Sequence, residues 1–283
     1  MKVGYAPWRL ARASALGASN GRVVRTGQGD RMGIEAVGIT DIGLKRDRNE
    51  DAFLMNEELA LYVVADGMGG HVGGQHASTL AVNTVEEMVG ELILPSGTES
   101  GSVDPVDAVR RGLDEAVRLA GKRIYAWATD HPEFKGMGTT IVVVLTHGSN
   151  AYVAHVGDSR VYLIRDGAIE QITDDHSLVA QSIRDGLITE EQAKSHRMRN
   201  VITRALGFNP DVEVDVQVRA LRRGDRFLLC TDGLSGKMDA HEMKDLVERY
   251  EGAEALRQLV GLACARGGDD NVTVVMLKVE DAA

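Results

Sequence analysis

LALYVVADGMGG, residues 59–70, joins a strand-like run to an acidic turn and a glycine-rich loop. The run from Leu59 to Ala65 is almost wholly apolar or aromatic, which is typical of a strand that is buried on both faces. Asp66 comes next, where the strand is expected to end, and the loop after it contains glycines at positions 67, 69, 70, 73 and 74. The sequence therefore predicts that this strand delivers a carboxylate to a site at its end.

Three other acidic segments lie at comparable places: Asn49-Glu50-Asp51, Thr231-Asp232-Gly233 and Asp269-Asp270-Asn271. Each lies where a strand-like run meets a polar or glycine-rich turn. A single Asp-Gly pair could be only a turn, but several carboxylates cannot crowd together unless positive charge neutralises them. Mg²⁺ and Mn²⁺ prefer oxygen ligands. The four segments together indicate a multi-metal hydrolytic centre.

Composition excludes several classes of protein. The 283-residue chain is 43% hydrophobic and has a formal net charge of −10. This charge argues against a general binder of nucleic acid or of anionic membranes, and no apolar stretch approaches the roughly 18 residues typical of a membrane span. Cys230 and Cys264 lie in apolar runs and are expected to be buried thiols. We expect a cytoplasmic monomer.

Residues 1–33 differ from the rest in charge, with six basic residues and one acidic residue before position 32. The segment is rich in Ala, Gly and Ser and lacks periodicity, which indicates a disordered basic extension. Translation from Met32 and a basic docking arm remain open alternatives. A targeting peptide is disfavoured because the apolar run from Ala11 to Ala18 is short and interrupted. We expect one folded domain over residues 34–283.

Strand and helix patterns are segregated along the chain. Helices are predicted over about 75–93 and 105–128 and near 240–249 and 253–265, and residues 174–208 form a polar, partly helical segment. Strands are predicted over 37–40, 59–65, 139–145, 151–156, 161–164, 169–172, 212–218, 225–231 and 272–279. This order favours an α+β domain with antiparallel sheets and helices packed outside them.

Six segments in this order resemble the bacterial form of the PP2C (PPM) family of metal-dependent serine/threonine protein phosphatases. They span Asp41–Asp51, Val64–His71, Gly136–Thr140, Val156–Arg160, Cys230–Leu234 and Gly268–Val274. The resemblance covers about residues 34–280 and implies an α-β-β-α sandwich, in which two antiparallel sheets are flanked by helix pairs. That fold agrees with the element order read from the patterns alone.

The resemblance also implies two central Mn²⁺ or Mg²⁺ ions. Asp66, Asp232 and Asp270 would ligate them, with Asp66 bridging the pair. The carbonyl of Gly67 would complete one coordination sphere, and Glu50 would hold a metal-bound water. Two metals about 3.5–4 Å apart can share a hydroxide, lower its pKa and aim it at phosphorus.

Three further site residues follow from the same resemblance. Arg46 is the candidate phosphate clamp, because its guanidinium fork matches two phosphate oxygens; the alternative is a solvated basic loop. Asp158 would join Asp232 in a third, weaker metal site. His71 could donate a proton to the leaving alkoxide, or it could only order the glycine loop. Many relatives place a histidine directly after the Asp-Gly pair, where this chain has Met68.

Other polar residues are expected to support the site. Asp51 and Asp269 lie beside the proposed ligands and are assigned supporting positions. Arg160 is expected to pair with structural acids. His176 lies at the start of the flap, about residues 174–208, which varies within the family, and it is expected to be a loop hydrogen-bonding residue.

The implied activity is hydrolysis of protein phosphoserine and phosphothreonine by in-line attack of a metal-bridging hydroxide, without a phosphoenzyme. Phosphorylated proteins and a cognate Ser/Thr kinase are the implied partners. The alternative is a catalytically inactive module of the same fold that binds phosphoproteins. Loss of the acidic ligands would favour that alternative, and here the acids are all present.

Overall fold

The computed structural model describes residues 24–25, 32–69, 72–93 and 104–280. The expectations for residues 1–23 and 26–31, which include most of the basic extension, fall outside the described residues. Val24–Arg25 forms a short strand, β1, that pairs antiparallel with residues 35–36. The division into an extension and one domain, like the alternative start at Met32, stays a prediction.

Two antiparallel sheets form the centre of the molecule. Sheet A has the order β1-β2-β12-β11-β8-β9 and sheet B has the order β10-β7-β6-β4-β3, with β5 pairing to β4. The strands after β1 are β2 Gly33–Asp41, β3 Asp51–Asn56, β4 Leu61–Met68, β5 Gly138–Thr139, β6 Ile141–His147, β7 Asn150–Val156, β8 Arg160–Arg165, β9 Ala168–Gln171, β10 Asp215–Ala220, β11 Arg226–Cys230 and β12 Val272–Glu280.

The α-helices of the described residues are α1 Gly73–Met88, α2 Pro105–Asp130, α3 Leu178–Arg184, α4 Glu190–Lys194, α5 Asp232–Ser235, α6 Ala240–Arg249 and α7 Gly252–Ala265. The outer face of sheet B is covered by α1 and α2 and that of sheet A by α6 and α7, whereas α3 and α4 lie in the flap. The predicted start of α2 is confirmed, because the Asp104 carboxylate accepts the Val106 N–H and Pro105 occupies the first helical position. Within the described residues, no helix is both long and apolar enough to cross a bilayer.

Three apolar layers hold the sandwich together. Along β4, Val63 and Ala65 face α1 and α2, whereas Tyr62 and Val64 face sheet A. Along β11 the same alternation places Phe227 toward sheet B and Leu228 toward α6 and α7. Strands covered on both faces read as continuous apolar runs, as both segments do. The predicted α-β-β-α sandwich is confirmed.

Several predicted boundaries are wrong in detail. β4 continues past Ala65 to Met68, because Gly67 and Met68 pair with β5. The helix predicted to reach Ile93 changes at Val89 into a π-helical turn. β10 begins at Asp215 rather than at residue 212. Cys230 is buried as expected, but Cys264 is only partly buried.

Candidate metal centre

Four aspartates meet at one end of the two sheets. Asp66 lies on β4, and Asp158 is separated from the end of β7 by Gly157, so sheet B contributes both. Asp232 follows β11 and Asp270 precedes β12, the neighbouring strands of sheet A. All four line a polar cavity of about 630 Å³ together with the other predicted site residues Arg46, Glu50 and Gly67. His71 lies outside the described residues.

Burial and mutual repulsion make these carboxylates difficult to ionise. Burial, followed by the charges of Asp51 and Asp232, raises the pKa of Asp66 well above its ordinary value. Burial and then Asp232 raise the pKa of Asp158 to about 7. The pKa values of Asp232 and Glu50 are raised as well, again chiefly by burial. Carboxylates clustered in this way can all be ionised only if positive charge lies beside them.

Arg46 supplies a single cation to this cluster. Its Nη2 donates to Asp270 Oδ2 at 2.7 Å, and its side chain remains 52% exposed. Among the residues that the structure describes, no other ion pair reaches any of the four aspartates. One guanidinium cannot neutralise four carboxylates, so the site has the charge to hold divalent cations.

The donor set suits a hard cation. The carboxylates of Glu50 and the four aspartates line the cavity, and carboxylate oxygens are ligands that Mg²⁺ and Mn²⁺ prefer. The backbone also comes very close to the acids. A Cβ at Gly74 would lie 2.4 Å from Glu50 Oε2, and one at Gly67 would lie 2.1 Å from the Gly74 carbonyl oxygen. Only glycine lets these chain segments approach the site so closely.

Asn271 fixes the segment that contains Arg46 and Glu50. Its Oδ1 accepts the Glu50 N–H at 2.8 Å, and its Nδ2 donates to the carbonyls of Ile42 and Arg48, both at 2.9 Å. Asn271 belongs to the motif Asp269-Asp270-Asn271, but its role could not be predicted from that motif. The available signal in the sequence was an asparagine next to two aspartates. Its hydrogen-bond partners could not be predicted, because they lie more than 200 residues away in the sequence.

Thr140 links two of the aspartate segments and was also missed. Its Oγ1 accepts the Asp66 N–H at 3.0 Å and shares a 2.7 Å hydrogen bond with Ser159 Oγ. Ser159 follows Asp158 directly. These two hydrogen bonds therefore fix the position of the Asp66 backbone relative to the loop that contains Asp158.

The acids expected to support the site occupy two different environments. Asp51 is buried, and its Oδ2 accepts hydrogen bonds from Thr273 at 2.6 Å and Thr231 at 3.1 Å. Burial outweighs these two bonds and raises the pKa of Asp51 to about 7. Asp269 is exposed and pairs with Lys45 at 2.8 Å and with Lys237. Neither observation assigns metal ligation to these residues.

Arg160 pairs with a structural acid, as predicted. Its Nε and Nη2 donate to the carboxylate of Asp175 at 2.9 and 2.7 Å. The pair fixes the first residue of β8 against the first residues of the flap. Within the flap, Asn200 and Ile202 line the cavity, so this segment forms one of its walls.

Comparison with known proteins places these features in a family. Residues 45–271 match the profile described as protein phosphatase 2C. A serine/threonine protein phosphatase, PstP, of Mycobacterium tuberculosis is 38% identical over 86% of this chain and 44% of its own length. A putative protein phosphatase 2C-type protein of Streptococcus pyogenes is 37% identical over 85% of this chain and 96% of its own. The chain thus spans less than half of the mycobacterial relative.

Solved structures agree with the sequence comparisons. The crystal structure of the M. tuberculosis serine/threonine phosphatase PstP/Ppp aligns with a TM-score of 0.79 at 37% identity, covering 87% of this chain and 99% of that one. The catalytic domain of PstP in complex with two manganese ions aligns with a TM-score of 0.76 at 36% identity, covering 88% and 99%.

Proposed function

The chain belongs to the protein phosphatase 2C family, and from this we propose that it hydrolyses phosphoserine and phosphothreonine in proteins. One observation carries the proposal above the others. Asp66, Asp158, Asp232 and Asp270 converge on a single polar cavity with Arg46 at its edge. A solved relative with two manganese ions bound supports the same assignment.

We assign the metal ligands to the residues that the cavity brings together. Asp66, Asp232 and Asp270 would hold two central Mn²⁺ or Mg²⁺ ions with the Gly67 carbonyl, and Asp158 would contribute to a third site. When bound, such ions supply positive charge to the phosphoryl oxygens and lower the pKa of the attacking water. Because the fold supplies oxygen donors with raised pKa values, cation binding and ionisation of the acids favour each other.

Arg46 would orient the phosphoryl group. Its guanidinium bonds Asp270, which is half-buried at the cavity edge. With a cation held by Asp270, Arg46 would be available to bind two phosphoryl oxygens in a bidentate contact. Its remaining exposure leaves the side chain free to make this contact.

Glu50 would orient water at the inner edge of the cavity. Asn271 fixes its backbone, and Ser78 Oγ donates to its carbonyl at 2.6 Å, so the carboxylate projects from a rigid point. The proton donor to the leaving alkoxide is assigned to His71, and this assignment stays a prediction because His71 lies outside the described residues.

Partner and location belong to the same proposal. A phosphoprotein substrate follows from the family, and we propose a cognate Ser/Thr kinase as the enzyme that forms the substrate. The cytoplasmic location and the monomeric state stay predictions from the sequence.

The test is phosphate release from a phosphothreonine peptide, with a phosphotyrosine peptide of the same sequence as control. We expect turnover with Mn²⁺ that chelation abolishes, little turnover of phosphotyrosine, and none in Asp66→Asn. Equal rates in wild type and Asp66→Asn would overturn the proposal. Tight phosphopeptide binding without turnover would instead favour the regulatory-module alternative.

A further inference from the structure

The loop between β2 and β3, residues 42–50, carries charged side chains along one edge of the cavity. Four consecutive residues of this loop line the cavity: Lys45, Arg46, Asp47 and Arg48. Lys45 pairs with Asp269 at 2.8 Å, and Arg46 pairs with Asp270 at 2.7 Å. Within the part of the chain that the structure describes, the Arg48 guanidinium forms no ion pair and no hydrogen bond. Arg48 is therefore a basic side chain of the cavity edge without an acidic partner in the described protein.

Hydrogen bonds hold the backbone of this loop in place at both ends. Asn271 Nδ2 donates to the Arg48 carbonyl at 2.9 Å, and Asn271 Oδ1 accepts the Glu50 N–H at 2.8 Å. At the start of the loop, the Leu44 N–H donates to the Gly268 carbonyl at 2.7 Å. Gly268 and Asn271 belong to the segment that supplies one of the proposed metal ligands. The Arg48 backbone thus has a fixed position beside the site, whereas its side chain is exposed and can turn toward a ligand.

The charge of Arg48 reaches the interior of the cavity. Burial raises the pKa of Glu50, and the positive charges of Arg46 and Arg48 partly offset this rise. Cations bound by the four aspartates would neutralise those acids, but they would leave the charge of Arg48 without a counter-charge. A guanidinium in this position is suited to a second anion, because its planar fork binds two oxygens of a carboxylate or a phosphate.

We propose that Arg48 is a specificity-determining residue that binds a second anionic group of the substrate, a carboxylate or a phosphate within about three residues of the phosphate to be released. The inference rests on the proposed function, because it takes Arg46 as the residue that binds the released phosphoryl group. The Cα atoms of Arg46 and Arg48 lie at most about 7 Å apart, and an extended peptide advances about 3.3 Å per residue. The two anions are therefore expected to lie a few residues apart in one peptide.

The test uses phosphothreonine peptides that differ at one position, which is moved over the three residues on each side of the phosphothreonine. That position holds Asn, Asp or a non-hydrolysable phosphonate analogue of phosphoserine. Asn and Asp have nearly the same shape, so their difference isolates the charge. The phosphonate keeps its phosphorus, so phosphate release reports the phosphothreonine alone. Comparison of Asp with the phosphonate distinguishes an acidic residue from a second phosphate as the bound anion.

For the wild-type protein with saturating Mn²⁺, we expect a preference for anionic peptides. At one or more of the positions, Asp should raise kcat/KM over Asn by about 3–5-fold, near the upper limit for an exposed ion pair. The phosphonate should raise it by about tenfold, because it carries more charge and accepts a bidentate contact. Both gains should appear chiefly as a lower KM, since the second anion is remote from the reacting phosphorus.

Three variants assign the preference to Arg48. Arg48→Gln should lower the ratio of kcat/KM for anionic and neutral peptides to about one, and this ratio cancels any general loss of activity. Arg48→Lys keeps the charge without the fork, so it should keep the gain from Asp within about twofold and lose most of the additional gain from the phosphonate. Lys45→Gln is the matched control, because it removes one charge from the same loop, but a charge that Asp269 already pairs. It should keep both wild-type ratios within about twofold.

Three results would overturn the inference. The first is a wild-type protein that releases phosphate but shows no preference for anionic peptides, which would make Arg48 a solvated surface residue. The second is a preference that persists in Arg48→Gln. The third is an equal loss of preference in Arg48→Gln and Lys45→Gln, which would indicate attraction by overall charge. Failure of the proposed phosphatase is distinguishable from all three, because it appears as absent phosphate release from every peptide, and the inference would fall with it.

Discussion

Asp158 shows how the fold holds a carboxylate where ionisation is unfavourable. Burial and Asp232 raise its pKa to about 7 from an ordinary value of 3.8. Between these two values the folded protein binds more protons than the unfolded chain. The contribution of Asp158 to stability is therefore full below about pH 4 and is lost as the pH rises through about 7. Histidines with lowered pKa values make the stability change with pH in the opposite direction over part of this range. The contribution of Asp158 is therefore obtained by comparing the stability of wild type with that of a variant.

Substitution of Asp158 tests this electrostatic account in the metal-free protein. We expect Asp158→Asn to raise Tm relative to wild type near pH 7.5 by several degrees, because the amide carries no charge to bury. Near pH 4 the gain should vanish, since the wild-type carboxyl is already neutral there. Thermal melts in chelator at both pH values provide the measurement. A gain that is equal at both pH values would contradict the account.

Arg46 is the residue that we propose to orient the phosphoryl group. Arg46→Ala should lower kcat/KM on a phosphothreonine peptide by roughly 10–100-fold, the range expected for losing charged hydrogen bonds. Lys45→Ala is the neighbouring control, because Lys45 is exposed and pairs with Asp269 outside the acid cluster. Its kcat/KM should stay within about threefold of wild type, as for an exposed ion pair. An equal loss of kcat/KM in both variants would contradict a specific role for Arg46 and would indicate that positive charge only attracts the substrate.

At the scale of elements, the start of α1 is pressed against the segment that precedes β3. Gly74, in the first turn of α1, lies beside the Glu50 carboxylate, and Gly67 on β4 lies beside Gly74. A side chain at either glycine would displace the acid or the helix. The glycine loop is thus required by the closeness of three chain segments.

Gly74→Ala should therefore reduce activity although alanine favours helices by about 0.5–1 kcal/mol over glycine. Its Cβ would lie 2.4 Å from Glu50 Oε2, so we expect kcat/KM to fall by at least about tenfold as the carboxylate moves. Gly90→Ala is the control, since its Cβ would only touch Leu59 at 3.8 Å. If Gly74→Ala retained full activity, Glu50 would not need its observed position.

Elements with a clear apolar pattern were predictable, and elements without one were not. The buried runs of β4, β11 and β12 and the apolar stripe of α2 follow from the sequence, because the apolar residues of each are covered by the core. β3 was missed, since its residues are all only partly buried and its Ala, Met and Asn are weak strand formers. α5 is a single turn of four residues, too short for a helical period to show. Val212 and Val214 are buried, but they lie in a loop before β10.

The site was predictable as a set of acids but not as a network. Each acid stands at a recognisable strand end, so the sequence could bring Asp66, Asp232 and Asp270 together. The hydrogen bonds of Thr140, Asn271 and His176 join segments that are distant in sequence. Such partners follow from tertiary packing, and no local pattern encodes them.

At the scale of the whole molecule, the candidate metal centre lies where the two sheets meet. Sheet B supplies Asp66 and Asp158, and sheet A supplies Asp232 and Asp270. Neither sheet alone assembles the cavity, so the packing of one sheet on the other creates the site. The apolar layer between the sheets therefore serves function directly, since it sets the separation of the two carboxylate pairs.

Anomalous diffraction from a crystal soaked in Mn²⁺ tests the central claim most directly. We predict two strong peaks among the carboxylates of Asp66, Asp232 and Asp270, and a weaker third peak beside Asp158. A crystal of Asp66→Asn should lose the two strong peaks. A map of the wild-type protein without a peak within ligand distance, about 2–2.5 Å, of these carboxylates would contradict the account.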